Sequence, residues 1–379
     1  MQKWFFSFSF YIFSGALQAQ HSVIFRVKSL PAYHKTQDPV FIAGSFNNWN
    51  PGQREFQLKT DAGGKYFITI ALQAGKHEYK ITRGNWETVE SGSEGFPTEN
   101  RVIEINSDTS IEISIQHWAD HFPKNAKVST ANKHVKIIET GFFIPQLNRH
   151  RRIWVYLPET YANSRKKYPV LYMHDGQNVF DDSSSFSGEW GVDEALDTLG
   201  KKIDETIVVA VDNGGNKRIN EYSPYDMERF GKGEGNQYVD FLVKTLMPYI
   251  NKNYRTKKCG KNSYVTGSSM GGLISLYAML KYPKEFDGAG IFSPAFWITP
   301  QLKEAIGIKA KKIKGKIYFY AGKQESESMV PDMLSVFERM NRYSKAKMTT
   351  IIRSEGKHNE ATWRKEFPLF YKWMFTPIP

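Results

Sequence analysis

The chain has 379 residues, 40% of them hydrophobic and 15% aromatic, a composition that suits a folded globular protein and excludes a disordered one. Its single cysteine, Cys259, rules out an internal disulfide, and no Cys/His group has metal-ligand spacing, so neither a disulfide framework nor a structural zinc is expected. The net charge of +12 comes without any recognisable nucleic-acid motif, so nucleic acid is not an expected partner.

Lys3 is followed by an apolar run from Trp4 to about Leu17 that closes on Ala16-Leu17-Gln18-Ala19. This is the layout of a secretory signal peptide over residues 1–19, too short to span a bilayer comfortably and followed at once by polar sequence. Export is expected, with no transmembrane segment after cleavage near Ala19. An exported chain without disulfides suits a bacterial periplasm or cell surface. The competing reading is a buried N-terminal helix or an uncleaved anchor.

Residues 20–118 read as all β. Val23-Ile24-Phe25-Arg26-Val27, Val40-Phe41-Ile42-Ala43, Tyr66-Phe67-Ile68-Thr69-Ile70, His77-Glu78-Tyr79-Lys80-Ile81 and Ile111-Glu112-Ile113-Ser114-Ile115 are short β-branched or aromatic runs punctuated by Gly, Asn, Asp and Pro. Their spacing predicts a small immunoglobulin-like sandwich. Within it, Gly44-Ser45-Phe46-Asn47-Asn48-Trp49-Asn50-Pro51, then Glu78 to Glu87, then Asn100-Arg101, resemble the starch- and glycogen-binding carbohydrate modules. The resemblance implies a sugar site of Trp49, Lys80 and Trp86, and hence binding of an α-glucan. An indole stacks on the apolar face of a pyranose while an ammonium donates to its hydroxyls. The alternative is that Trp49 is a core residue and the module only packs.

Residues 119–133, with Asp120, His121, Pro123, Lys124, Asn125, Lys127, Ser129, Thr130 and Asn132, read as a polar linker. Residues 20–118 carry ten Lys/Arg against eleven Asp/Glu, so the positive excess lies in the C-terminal part. That excess suits an anionic substrate or envelope surface, or is simply a solvated face.

Over residues 134–379 the pattern changes. Val135-Lys136-Ile137-Ile138 and Arg152 to Leu157 suggest a hairpin. Strand-like runs then alternate with helical ones: Pro169 to Met173, a helix over 192–199, Ile207 to Val211, a helix over 237–250, Ser263 to Thr266 with a helix after it, Gly288 to Phe292, Ile317 to Tyr320, a helix over 333–340, Met348 to Ile352 and a last helix from about Glu360. Such alternation predicts an α/β fold with a mostly parallel sheet covered on both faces, and catalytic groups at the carboxyl ends of its strands.

Gly267-Ser268-Ser269-Met270-Gly271 sits between a predicted strand and a predicted helix. Gly267-x-Ser269-x-Gly271 matches the nucleophile elbow, whose glycines let two backbones pass closely while the serine is exposed on a strained turn. A serine needs a base and a third group to orient that base, in the chain order serine, acid, histidine. Of nine histidines only His358 follows Ser269, in a loop after the last predicted strand. Among Asp287, Glu304, Glu325, Glu327, Asp332 and Glu338, the residue best placed at a strand's carboxyl end is Glu325, with Glu327 the alternative. The amides of Met270 and of Gln177, in the loop His174-Asp175-Gly176-Gln177-Asn178, are the candidate oxyanion donors. His174 is read as structural. Trp190, Tyr222, Phe296 and Trp297 are candidates for lining the substrate site, or equally for the core.

His174 to Asp181, Glu189 to Ala195, Glu221-Tyr222-Ser223-Pro224, Gly267 to Gly272 and Gly356-Lys357-His358 together resemble the esterase D-like branch of the α/β-hydrolases, which includes feruloyl, acetylxylan and siderophore esterases and mycolyl transferases. The resemblance implies hydrolysis of a carboxylic ester through an acyl-enzyme on Ser269, with no cofactor or metal. One departure is Gly322-Lys323-Gln324-Glu325, a glutamate where many relatives carry aspartate. The expected partner is an ester substrate, with a polysaccharide-linked acetyl or feruloyl ester favoured. Alternatives are a siderophore trilactone, an acyltransferase on the same triad, and a glycan-binding protein with a vestigial hydrolase domain.

Overall fold

The computed structural model describes residues 20–376 except 48, 94, 96–97, 123–126, 186–187, 200–202, 229 and 258–261, so the leader 1–19 and Cys259 lie outside the described residues. The chain divides into two compact units, Met1–Asn125 and Ala126–Pro379.

The first unit contains β1 (Gln20–Ser29), β2 (Phe41–Gly44), β3 (Lys59–Thr60), β4 (Tyr66–Gln73), β5 (Gly75–Thr82), β6 (Glu90–Ser91), β7 (Arg101–Ile105), β8 (Thr109–Ser114) and β9 (His117–Trp118). One sheet runs β3-β4-β1-β8, a second β2-β5-β7, and β6 pairs with β9. Alternation sets the faces: along β4, Tyr66, Ile68, Ile70 and Leu72 are buried while Thr69, Ala71 and Gln73 are exposed. Val23 and Phe25 from the first sheet meet Ile42, Tyr79 and Ile81 from the second in one hydrophobic cluster, which makes the unit a sandwich.

The second unit carries β10 (Val135–Ile144), β11 (Arg149–Tyr156), β12 (Val170–His174), β13 (Ile207–Val211), β14 (Ser263–Ser268), β15 (Gly288–Phe292), β16 (Lys316–Gly322) and β17 (Lys347–Arg353) in one sheet, ordered β10-β11-β13-β12-β14-β15-β16-β17. The β10–β11 and β11–β13 pairs are antiparallel and the remaining neighbours parallel. The helices are α1 (Val192–Leu199), α2 (Arg218–Tyr222), α3 (Gly235–Phe241), α4 (Met247–Asn253), α5 (Met270–Lys281), α6 (Gln301–Lys309), α7 (Met329–Tyr343) and α8 (Glu360–Phe375). β12 to β15 are buried on both faces, between two hydrophobic clusters. This is the α/β-hydrolase arrangement expected from the sequence.

Two sequence expectations change in detail. The helix expected over 237–250 contains a π-turn at Leu242–Leu246, just before Pro248, which has no N–H to donate and crowds the carbonyl four residues back. The stretch expected to be a linker is held at both ends. Ala119–His121 forms a short 3-10 turn in the first unit, with the His121 ring stacked 3.5 Å from that of Tyr33. Residues 127–132 hydrogen-bond to Asp181, Asp182, Asp193 and Asp197 of the second unit. Polar composition reads as solvated chain, but here Ser129, Thr130 and Asn132 reach the buried carboxylates of Asp181 and Asp193. Among the described residues no helix is long and apolar enough to cross a membrane.

Candidate active site

β14 ends at Ser268, and α5 begins at Met270, so Ser269 alone makes the turn between strand and helix. Its backbone sits at φ 59°, ψ −119°, a conformation that costs an L-residue of order 1–3 kcal/mol and persists only when its surroundings impose it. They do so by hydrogen bonds: Ser269 N–H donates to Phe292 O at 2.9 Å, and Ser269 O accepts from the N–H of Leu273 and of Ala295, each at 3.1 Å. A Cβ on Gly267 would lie 3.1 Å from the Gly271 backbone and 3.0 Å from the His174 ring, so Gly267 lets two chain segments cross closely, whereas a Cβ on Gly271 would meet only ordinary contacts from 3.4 Å outward. Ser268 is buried, whereas Ser269 is half-buried.

The candidate base and acid come from neighbouring strand ends. His358 follows β17, and Glu325 follows β16. A side chain on Gly322 would collide with the Gly356 carbonyl, so this glycine lets the two loops touch, and Gln324 N–H donates to Gly356 O at 3.0 Å. His358 Nδ1 lies 2.8 Å from Glu325 Oε2. A carboxylate only accepts, so Nδ1 carries the hydrogen and Nε2 is left as the basic nitrogen. Glu325 Oε1 accepts from Ser293 Oγ at 2.7 Å and from Gly322 N–H at 2.6 Å. The Glu325 side chain is 1% exposed, while Glu327 is exposed to solvent. The alternative acid is therefore not the residue that touches His358.

Two residues behind the pair carry no signal that the motifs supplied. Ser293, at φ 44°, accepts from Trp363 Nε1–H at 2.8 Å while donating to Glu325. The Trp363 ring meets that of His358 edge-on, with centroids 5.1 Å apart. Ser293 stands at the carboxyl end of β15, so the rule that selected Glu325 also reaches it. Trp363 sits within the first turn of α8, one turn past His358.

Met270 is the first residue of α5, where backbone amides lack an intrahelical acceptor. Gln177 lies in the short 3-10 turn Gly176–Asn178 after β12. Neither N–H donates to a described residue, so both are open to an oxyanion. Gln177 is fixed by its other groups: its carbonyl accepts from Ser184 Oγ at 2.7 Å and its Oε1 from Asn213 N–H at 3.2 Å.

Beneath the elbow, His174 is buried with Nδ1 2.9 Å from Tyr238 Oη, and burial depresses its pKa to about 4, the Asp175 carboxylate opposing only in part. It is a neutral packing residue. Asp175, at φ 57°, is gripped by Arg218 at 2.6 and 2.8 Å and by Asn213 at 2.7 Å. Burial opposes its ionisation, but Arg218 and the Asn213 hydrogen bond, with a smaller contribution from His174, together outweigh burial and keep the carboxyl below its usual range.

The aromatic candidates divide. Trp190, Tyr222 and Phe296 are 4%, 0% and 2% exposed, which corrects their assignment to the substrate site. Trp190 packs among Phe292, Trp363 and Phe367, and Tyr222 between His174 and Tyr238, because α8 and α3 close over loops that look open in the sequence. Trp297 is 53% exposed and stands two residues past Ala295, which hydrogen-bonds Ser269. In the first unit, Trp49 and Trp86 are half-buried with ring centroids 6.3 Å apart and planes 40° apart, and Lys80 Nζ donates to Thr98 O. Burial lowers the Lys80 pKa, with Glu90 opposing.

A family model described as "Putative esterase" matches residues 144–373. The endo-1,4-beta-xylanase/feruloyl esterase of Xylanibacter ruminicola is 24% identical over 317 residues, 81% of this chain and 40% of that protein. The alpha-amylase of Niallia circulans is 38% identical over 111 residues, 29% of this chain and 8% of the amylase. The solved structure of the enterobactin esterase FES from Shigella flexneri shares the fold at a TM-score of 0.52 and 15% identity, over 92% of this chain and 90% of that one.

Proposed function

The chain belongs to the esterase family matched over residues 144–373, a carboxylic ester hydrolase, and from that premise we propose that it works through an acyl-enzyme on Ser269 and cleaves a glycan-linked acetyl or feruloyl ester outside the cytoplasm. The observation that carries the mechanism is the Glu325–His358 hydrogen bond at 2.8 Å on loops that meet the Ser269 turn's side of the sheet. His358 Nε2 takes the proton as Ser269 Oγ attacks the ester carbonyl, and Glu325 stabilises the imidazolium. The amides of Met270 and Gln177 receive the oxyanion, whose loss of one donor typically costs about a hundred- to thousand-fold in turnover. Collapse expels the alcohol with the proton from His358. Water then attacks the acyl-enzyme by the same route, releasing the acid and restoring Ser269.

The glycan preference is supported by the Trp49/Trp86 ring pair, and by an amylase match of 111 residues, about the length of the N-terminal unit. Export is supported by the leader-like residues 1–19. The net charge of +12 favours a second reading, an anionic ester such as a catecholate siderophore.

Ser269→Ala is expected to abolish hydrolysis of p-nitrophenyl acetate with the fold intact, and persistent activity would refute the mechanism. A panel of acetyl, feruloyl and catecholate esters separates the two substrate readings: preference for the catecholate overturns the glycan one. N-terminal sequencing of protein recovered from an exporting host is expected to begin near Gln20, and a retained leader would overturn export.

A further inference from the structure

Residues 127–132 precede the segment matched by the family model, yet they lie against the loop that carries Gln177. Ser129 Oγ donates to Asp181 Oδ2 at 2.9 Å, and Thr130 N–H to Asp181 Oδ1 at 3.2 Å. Asp182 N–H donates to Thr130 Oγ1 at 2.8 Å, and Lys127 Nζ reaches the Asp182 carbonyl at 3.1 Å. Farther along, Asn132 N–H donates to Asp193 Oδ2 and its Nδ2 to Asp197 Oδ2, each at 2.8 Å, at α1.

These contacts converge on one turn. Asp181 also accepts from Ser183 N–H at 2.9 Å, and its carbonyl accepts from Ser184 N–H at 3.2 Å and Ser184 Oγ at 3.0 Å. Ser184 Oγ is the group that holds the Gln177 carbonyl. Asp181 is 6% exposed, and residues 129 and 130 each donate a hydrogen bond to its carboxylate. Without them a nearly buried carboxylate would keep only its Ser183 contact, and the turn that fixes Ser184 would be freer to shift.

We propose that residues 127–132 are a strap that positions the oxyanion loop, with Ser129 and Thr130 acting through Asp181 and Ser184 on Gln177. They are positioning residues, and none touches the reacting atoms. The inference rests on Gln177 being an oxyanion donor.

The test uses the full chain. In Ser129→Ala/Thr130→Val the Ser129 donor and the Thr130 acceptor are gone, whereas Thr130→Ser keeps the acceptor. Each is assayed with p-nitrophenyl acetate and with a trifluoromethyl ketone inhibitor, whose hemiketal oxyanion needs the same donors as the tetrahedral intermediate. The double variant is expected to lose about tenfold in kcat and about tenfold in inhibitor affinity, with KM within about twofold, short of the roughly hundredfold that a 1 Å misplacement costs. Thr130→Ser should stay within about twofold of the parent on both. A folded double variant with unchanged kcat and inhibitor affinity overturns the strap, as does a loss of kcat with inhibitor affinity intact. If the double variant does not fold, Ser129→Ala alone is read by the same two measurements, with about threefold losses expected. Parent activity that survives Ser269→Ala would instead strike the acyl-enzyme reading, so the two failures are distinguishable.

Discussion

Glu325 and His358 are joined at 2.8 Å, and the other carboxylate oxygen of Glu325 is closed off by Ser293 Oγ and the Gly322 amide, so the carboxylate has one orientation. Glu325→Gln keeps the volume but replaces an ionic acceptor with an amide that can offer Nδ1 a donor, favouring the wrong tautomer of His358. The expected loss is in kcat, by about 10⁴-fold where the analogous change in a serine protease is the guide, with KM little moved. Glu327→Gln should leave both constants unchanged. Equal losses in the two variants would mean that the acid has been misassigned.

Trp363→Phe tests the support behind the acid. Phenylalanine keeps most of the packing against Trp190 and the edge-on contact with His358, but it removes the Nε1–H that holds Ser293 at 2.8 Å. Ser293 then has one restraint fewer while it donates to Glu325. We expect kcat to fall by about tenfold, again short of a 1 Å misplacement, with KM constant. A rise in KM with kcat unchanged would assign Trp363 to substrate binding.

The sequence made the elbow legible because two glycines at fixed offsets leave a local mark, and it made His358 legible because chain order leaves no other histidine. Glu325 and Glu327 stand two residues apart in one loop, and composition does not say which turns inward; that is decided by the Gly322 amide at the end of the same strand, β16, and by Ser293 at the end of β15. Strand and helix order in the second unit followed from periodicity. The aromatic residues did not: Trp190 is covered by Trp363 and Phe367 of α8, far along the chain, and Tyr222 by His174 and Tyr238. The strap was hidden for a related reason: Ser129, Thr130 and Asn132 look solvated until their carboxylate partners are known.

Trp86→Ala separates the two units' contributions. If the first unit binds α-glucan through Trp49 and Trp86, removing one indole removes a stacking face while the sandwich core, built on Phe25, Tyr79 and Ile81, is untouched. Mobility in starch gels by affinity electrophoresis should show affinity reduced about tenfold, the equivalent of roughly 1.4 kcal/mol. Hydrolysis of p-nitrophenyl acetate should be unchanged. Unaltered retardation, or none in the parent protein, would remove glycan binding from the first unit.

Asp193 gives a stability prediction whose sign can be worked out. Burial raises its carboxyl from an ordinary 3.8 to about 7, the neighbouring Glu194 adding to the shift, while the Asn132 amide opposes it. Between these values the folded chain holds a proton that the unfolded chain has lost, so this group's contribution to stability falls as pH rises from about 4 to about 7 and is level above that. His174 acts in the opposite sense: burial lowers it from 6.5 to about 4, so its contribution rises over nearly the same interval. The two slopes partly cancel in the parent protein, and the informative quantity is a difference between proteins. Asp193→Asn keeps an acceptor for Asn132 N–H and a donor toward Glu194 but cannot ionise. Its thermal midpoint relative to the parent should therefore climb between pH 4 and pH 7.5, by at least about 3 °C for a domain of this size. A difference that stays constant across that range would show that Asp193 does not hold a proton in the fold.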